Sequence, residues 1–537
     1  MSVWRICQVS TISFFLFTGC LRVGPDFTRP AVKVSENWLE GADQRVGTGP
    51  SDYKRWWHLF GDSTLDRLIE RAFEENLSLR IAGVRVLEAR AQLGIAIGEL
   101  YPQTQQAFGS LQYNRPSEHS FQSASQQSAG GQSGSTSASS TSLGFLQSQI
   151  GLTANWEIDF WGKFRRAIES NNANWLASIA NYDNALVSLT ADVANSYIQI
   201  RTLEKRIAIA RENIETQKES VKIAEARYRY GTASQLDVEQ AKLVLHNTEA
   251  SIPSLETQLR QTHDALGVLL GLPPGRLSDV LESASQIPVS PPQVVIGIPA
   301  DLLRRRPDIR SAELQTAAQC AQIGVAKSAL YPAFSLTGNF GLLSTDIGRS
   351  SLSDMFSWGS RNIQTGPSIQ WNILNYGQIT NNVRVQDARF QELLITYQNA
   401  VLKAQQEVED NLAAFLKAQD RAGFLARSTI AARNALDLAV RQYREGIVDF
   451  TTVLTVQQSL LAVQDSLAVT LGSIASSLVG VYKALGGGWE IRKGMDLVPS
   501  EIREEMAKRT HWGKLLDPAS YHPFSEEPKS TIRLPDW

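Results

Sequence analysis

The chain has 537 residues, with 52 Lys+Arg against 54 Asp+Glu, enough for several domains at about 150 residues each. That near balance leaves a net charge of −2 and no basic field for a polyanion, so no nucleic-acid partner is expected. Three cysteines (Cys7, Cys20 and Cys320) are too few for a disulfide framework and fit no metal spacing; no metal or other cofactor is expected.

The first twenty residues read as an export signal. Arg5 supplies the positive flank and STISFFLF (10–17) the apolar stretch, well short of the roughly 20 residues of a bilayer-spanning helix. No later segment reads as long and apolar enough to be such a helix. Leu16-Phe17-Thr18-Gly19-Cys20 resembles a bacterial lipobox, although Phe17 is bulkier than the usual residue there. The resemblance implies a signal over 1–19 and S-diacylglycerol plus an N-acyl group on Cys20, more than one chain and therefore a stable anchor. Leu21 is not the aspartate that retains many such proteins in the inner membrane, so the implied address is the outer membrane. Residues 20–60 then form a lipid-anchored extended leader.

The next feature is a duplication. GIAIGELYPQ (94–103) resembles GVAKSALYPA (324–333), so Tyr101-Pro102 recurs as Tyr331-Pro332. WEIDFWGK (156–163) parallels WNILNYGQ (371–378), and RYRYG (227–231) parallels RQYREG (441–446), placing Gly231 against Gly446. The period exceeds that of solenoid repeats, which points to two copies of one large unit. We assign repeat 1 to 61–300, repeat 2 to 301–486 and a polar tail to 487–537. Copy one carries an extra Ser/Gln/Gly-rich, nearly uncharged stretch at 117–142, which cannot form a core and reads as an exposed loop.

Each copy opens with a helix and then two strands, expected over about 103–115 and 147–159, and over about 333–343 and 363–374. In QIGLTANWEI (149–158), Ile150, Leu152, Ala154, Trp156 and Ile158 alternate with Gln149, Gly151, Thr153, Asn155 and Glu157. FSLTGNFGL (334–342) and PSIQWNI (367–373) alternate in the same way. Two-faced segments of about ten residues suit a membrane barrel with a wet interior.

A long helix follows each strand pair. Between Gly162 and Gly231 there is no proline or glycine, and Ile179, Leu186, Val193, Ile200, Ile207, Ile214, Val221 and Tyr228 recur every seventh residue. Copy two keeps the row at Leu394, Val401, Val408, Phe415, Leu436 and Tyr443. Such a seam predicts coiled-coil packing over almost seventy residues, about 100 Å of helix. Return helices should begin after Gly231 and Gly446, where glycine permits a tight turn, giving two helical hairpins about 100 Å long. Four strands cannot close a barrel and lipid tolerates no open edge, so strands that span a membrane require an oligomer. Eight strands leave an interior filled by side chains; twelve, from three chains, leave a water-filled bore.

These stretches resemble the TolC-type outer membrane factors, in their lipoprotein, NodT-type branch. The resemblance is carried by VGPDFTRP (23–30), WWHLFGDSTLDRLIERAFEENLSL (56–79), LGLPPG (270–275), IPADLLRRRPDIRSAE (298–313), YREGIVDFTTVL (443–454) and YKALGGGWE (482–490). It implies a mainly α chain with a transmembrane β-barrel, built as a homotrimer with twelve strands continued by a periplasmic α-barrel. It also implies an equatorial belt from parts of 20–60, 271–300 and the C-terminal region. The implied partners are outer membrane lipid, a periplasmic adaptor and an inner membrane pump, expected to be of the RND type. The implied function is a passive exit duct for drugs or other small toxic solutes.

By the same resemblance the bore narrows at the helical turns, 228–237 and 443–455. Tyr230, Gly231, Glu445 and Gly446 are the candidate adaptor-docking turns, and Tyr443, Arg444, Asp449, Thr452 and Thr455 the candidate gate. Thr452 and Thr455 occupy the positions where the family usually carries aspartates. Closure should then depend on packing and neutral hydrogen bonds, with Asp449 either a charged ring at the mouth or a plain helix N-cap. In RRRPDIR (304–310), Pro307 and Asp308 suit the start of a helix rather than a ligand site. The remaining classes fit less well. A pore-free coiled-coil scaffold leaves the alternating strands unexplained. An enzyme lacks support: the six histidines are scattered, and no Gly-x-Ser-x-Gly, Walker or HExxH motif is present.

Overall fold

The computed structural model describes residues 22–47, 53–115, 144–275, 286–297, 305–346 and 351–518, together with 277, 281 and 299. Cys20 and the 117–142 stretch lie outside the described residues. The elements run α1 (Ser63–Glu75), α2 (Leu77–Gly98), β1 (Thr104–Asn114), β2 (Phe145–Ile158), α3 (Lys163–Arg229) and α4 (Gln235–Leu269). After them come α5 (Pro307–Ser328), β3 (Ala333–Thr345), β4 (Arg361–Gln370), α6 (Gln378–Arg444), α7 (Phe450–Ala484) and α8 (Ser500–Arg509). The order from α2 to α4 is repeated from α5 to α7.

The four strands form one antiparallel sheet in the order β1-β2-β3-β4, with β1 and β4 at its edges. One face is apolar. Ile150 pairs with Leu342, Leu152 with Phe340, Trp156 with Leu336 and Ile158 with Phe334. These side chains have no core beneath them; Leu152 is 60% exposed and Ile363 on β4 is 62% exposed. On the other face Phe108 lies over Gly151, which pairs with both Phe108 and Gly341. A side chain at either glycine would clash with the backbone of the facing strand. The fourth strand ends at Gln370, short of the expected 374, and the Trp371 indole donates instead to the Leu330 carbonyl.

Both long helices have 67 residues, about 100 Å. Ile179, Leu186, Val193, Ile200, Ile207 and Ile214 are buried along α3, as are Val401, Val408, Phe415, Leu436 and Tyr443 along α6. The hairpins differ from expectation in their return arms. α4 and α7 have only 35 residues each, about half the length of α3 and α6. The half of α3 nearer the sheet packs against α2 and α5 instead, and α6 packs against α5. The apolar seam is therefore continuous, but two successive helices complete it. The expectation about later apolar segments is also corrected. α7 is long and apolar enough to cross a bilayer by composition, because it is packed between α6 and α3.

The leader runs extended across these helices. Val23 donates to the Trp161 carbonyl at the end of β2, and Gly24 crosses Gly324 of α5 so closely that a side chain at either would clash. The buried Arg166 donates to the Val23 and Gly24 carbonyls and to Asp26. Further along, Gln405 and Glu409 of α6 accept from the Ser35 and Leu39 N–H groups, and Arg45 reaches Asp420 at 2.8 Å.

At mid-height the leader meets two other segments. Val46–Gly47 pairs in parallel with Val294–Val295, the Trp38 indole donates to Gly297, and Trp56 stacks on Tyr482. The tail, polar in composition, folds into this same region. Leu497 and Val498 are buried, and Arg492 forms a buried bidentate pair with Asp183 of α3. Pro307 opens α5. Arg306, just before it, joins Asp308, Glu407 and the Ala484 carbonyl at the end of α7.

Candidate functional site

The end of the molecule farthest from the sheet is made of two equivalent turns. Gly231 and Gly446 adopt φ of 72° and 77°, the left-handed region that glycine enters without strain. In the first turn Gly231 N–H donates to Tyr228 and Thr232 N–H to Arg227. In the second, Gly446 N–H donates to Tyr443 and Ile447 N–H to Gln442. Both are Schellman terminations, which satisfy the last carbonyls of a helix.

Beneath the turns, α3, α4, α6 and α7 share a small core of Ala224, Val238, Leu436, Tyr443, Phe450 and Val453. Tyr443 is 3% exposed and meets the Phe450 ring edge-on at 5.3 Å. Burial pushes its phenol above the usual tyrosine range. Among the described residues its hydroxyl has no hydrogen-bond partner.

Arg227 ties the two turns together. It donates to the Thr232 carbonyl in its own turn and to the Tyr443 carbonyl in the other, and its guanidinium lies 4.5 Å from the Tyr443 ring centroid. The same guanidinium fills the space beside Gly446. Sequence reading missed Arg227. Its position four residues before the first turn's glycine in RYRYG was the available signal.

The other candidates are on the surface of this end. Tyr230 is 85% exposed at the first turn, and Gly231, Glu445 and Gly446 are exposed beside it. Arg444 is exposed and close enough to Glu219 to act on it electrostatically. Asp449 occupies the N-cap position of α7, yet its carboxylate accepts no helix N–H. The equivalent Ser234 does cap α4, accepting from Asp237 N–H. Asp449, Thr452 and Thr455 follow at three-residue spacing and are all exposed, so they share one stripe of α7. The Thr455 hydroxyl is spent within the helix on the Thr451 carbonyl. The site therefore brings Tyr443 into the core, sets Asp449, Thr452 and Thr455 on one exposed face, and presents the glycine turns outward.

Among the described residues no cluster of His, Cys, Asp or Glu could hold a metal ion. Cys320 is a buried free thiol on α5, far in sequence from every group above.

The model of the outer membrane efflux protein family matches residues 68–272 and 298–487. The pyoverdine export outer membrane protein OpmQ of Pseudomonas aeruginosa is 32% identical over 492 residues, covering 88% of this chain and 96% of that protein. Nodulation protein T of Rhizobium leguminosarum bv. viciae is 31% identical over 445 residues, covering 83% of this chain and 86% of its own. Among solved structures, the outer-membrane channel OprN superposes with a TM-score of 0.77 at 30% identity, covering 87% of this chain and 99% of that one. With matches that span both repeats, including their strands and helical tips, the chain belongs to the outer membrane efflux protein family.

Proposed function

We propose that this chain is the exit duct of a tripartite efflux system, acting as a homotrimer whose twelve strands form a barrel in the outer membrane. The protein is an outer membrane efflux channel with a large periplasmic part. One observation carries the oligomer. The sheet has an apolar face with no core beneath it and two unpaired edge strands, and it continues directly into helices of about 100 Å. Lipid covers such a face only if neighbouring copies pair the edges. No catalytic step is required of the chain; an inner membrane pump, expected to be of the RND type, supplies the energy and a periplasmic adaptor joins the two.

On this reading the adaptor docks on the turns at Tyr230-Gly231 and Glu445-Gly446, and the bore narrows at the α7 stripe. Asp449 forms a charged ring and Thr452 and Thr455 a neutral one; the uncapped Asp449 carboxylate supports the ring over the N-cap. The lipid on Cys20 assists sorting and assembly of a protein that the barrel then holds. The cargo is a small solute. The test is to extract the protein from outer membranes and record it in planar bilayers. Discrete ohmic channels are expected; an electrically silent protein that still folds would remove the duct and leave a scaffold.

A further inference from the structure

The loop between β3 and β4 takes no part in the tip or the bore entrance, and it is built in detail. Ser351 and Asp354 form a capping box: the Ser351 hydroxyl accepts from Ser353 N–H and the Asp354 carboxylate from Ser351 N–H, and Ser360 donates to the Asp354 carbonyl. This rigid frame displays Phe356 and Trp358, both 79% exposed. Arg361 at its end lies with its guanidinium 3.0 Å from the Trp358 ring centroid and donates to the Trp358 carbonyl. Among the described residues Arg361 forms no ion pair.

The loop folds over one side of the sheet. Met355 Sδ accepts from Ser148 on β2, and the Ser351 carbonyl accepts from Ser344 on β3. Ser148 and Ser344 face each other directly across the two strands, on the same face as Ile150, Leu152, Trp156 and Phe340. The loop therefore closes the end of the apolar face, not the polar one. From Ile158 to Ser148 is about 33 Å of strand, or about 25 Å of height at a tilt near 40°, the height of a barrel's apolar band. At the other end of that band lie Trp161 and Tyr331, stacked at 4.6 Å.

We propose that Ser351–Arg361 is a lipid-surface anchor: Phe356 and Trp358 sit in the outer-leaflet interface, and Arg361 receives a phosphate of a lipid headgroup there. Aromatic rings prefer this layer, and an arginine at its edge reaches outward to phosphate. The ring beneath the guanidinium holds it in place while leaving outward-facing N–H donors. The proposal rests on the membrane-spanning reading of the sheet, and the experiment separates the two.

Phe356→Cys and Leu152→Cys, each checked for retained conductance, are labelled with NBD and placed in liposomes; Cys320 is buried and stays unlabelled. Lipids with shallow spin labels should quench the probe at 356, and deeply labelled lipids the probe at 152. Quenching at 152 without lipid quenching at 356, the latter being open to aqueous iodide, would overturn the anchor and leave the barrel intact. Failure at 152 would overturn the barrel and the anchor with it. For the phosphate, brominated phosphatidylglycerol should compete for the site about fivefold better than brominated phosphatidylcholine, as about 1 kcal/mol per arginine implies. Arg361→Gln should reduce that preference to about one; an unchanged preference would remove the arginine's role.

Discussion

The guanidinium of Arg227 lies over the ring of Tyr443 and donates to the Tyr443 carbonyl, joining two turns whose residues are 216 positions apart. Arg227→Ala leaves the Thr232 carbonyl without its donor, takes one donor from the Tyr443 carbonyl, which keeps Gly446 N–H, and removes the cation from the ring. The loss is about 1–3 kcal/mol at the end of a hairpin held by a small core. The expected result is a larger and noisier single-channel conductance, with Arg227→Lys intermediate because lysine lacks the planar fork. Equal conductance in all three proteins would show that the strut does not hold the tip.

Tyr443 gives a pH test. Its ring packs on Phe450 and its buried phenol keeps its proton above the usual pH of about 10. In the unfolded chain that proton is lost from pH 10 upward, so above pH 10 the folded state binds more protons and its stability falls as pH rises. Below pH 10 the contribution is fully present. Hydrogen exchange at the tip should therefore accelerate above pH 10 in the native protein and less so in Tyr443→Phe. Tyr443→Ala should open the tip at neutral pH as well, since truncating a buried aromatic costs about 3–5 kcal/mol.

Asp449 bears on how the bore discriminates ions. Three uncapped carboxylates converging at one level would favour cations. Asp449→Ala should lower the cation-to-anion permeability ratio measured from reversal potentials, and Thr455→Asp should raise it by adding an acid six residues further along α7. If Asp449→Ala changes neither selectivity nor conductance, the acid is no more than a surface residue at a helix start.

The buried pair Asp183–Arg492 makes the tail part of the folded body. Arg492 Nη2 is 2.8 Å from Asp183 Oδ2, and Asp183 is 2% exposed. Asp183→Ala leaves Arg492 buried without its carboxylate and should cost about 3–5 kcal/mol, lowering the thermal midpoint of the extracted protein. Replacing both with apolar residues of similar size should recover most of that loss. A double replacement as unstable as the single one would show that the pair is not the source of the effect.

Much of this architecture was legible because it repeats. The heptad row from Ile179 to Ile214 and the alternation from Ile150 to Ile158 each write one physical period many times. Features that depend on a single contact were not legible. Nothing in the row of isoleucines says that α4 stops after 35 residues and that α5 continues its work. The tail reads as polar because few of its apolar residues, among the described ones Ile491, Leu497, Val498 and Met506, are buried. Phe108 lies on the polar face of the sheet, where Gly151 across from it leaves room for its ring, a pairing that no single strand's pattern reveals. At the tip, the glycine turns were visible from residue type, while the Arg227 strut needed the two copies side by side.

The central claim is that three chains share one barrel, and the mass of the intact assembly tests it most directly. Native mass spectrometry of protein extracted gently from outer membranes should give three chains and no other stoichiometry. Two chains would supply eight strands, whose interior is filled by side chains, and a single chain would leave both sheet edges open. Either mass, found for protein that conducts, would contradict the account.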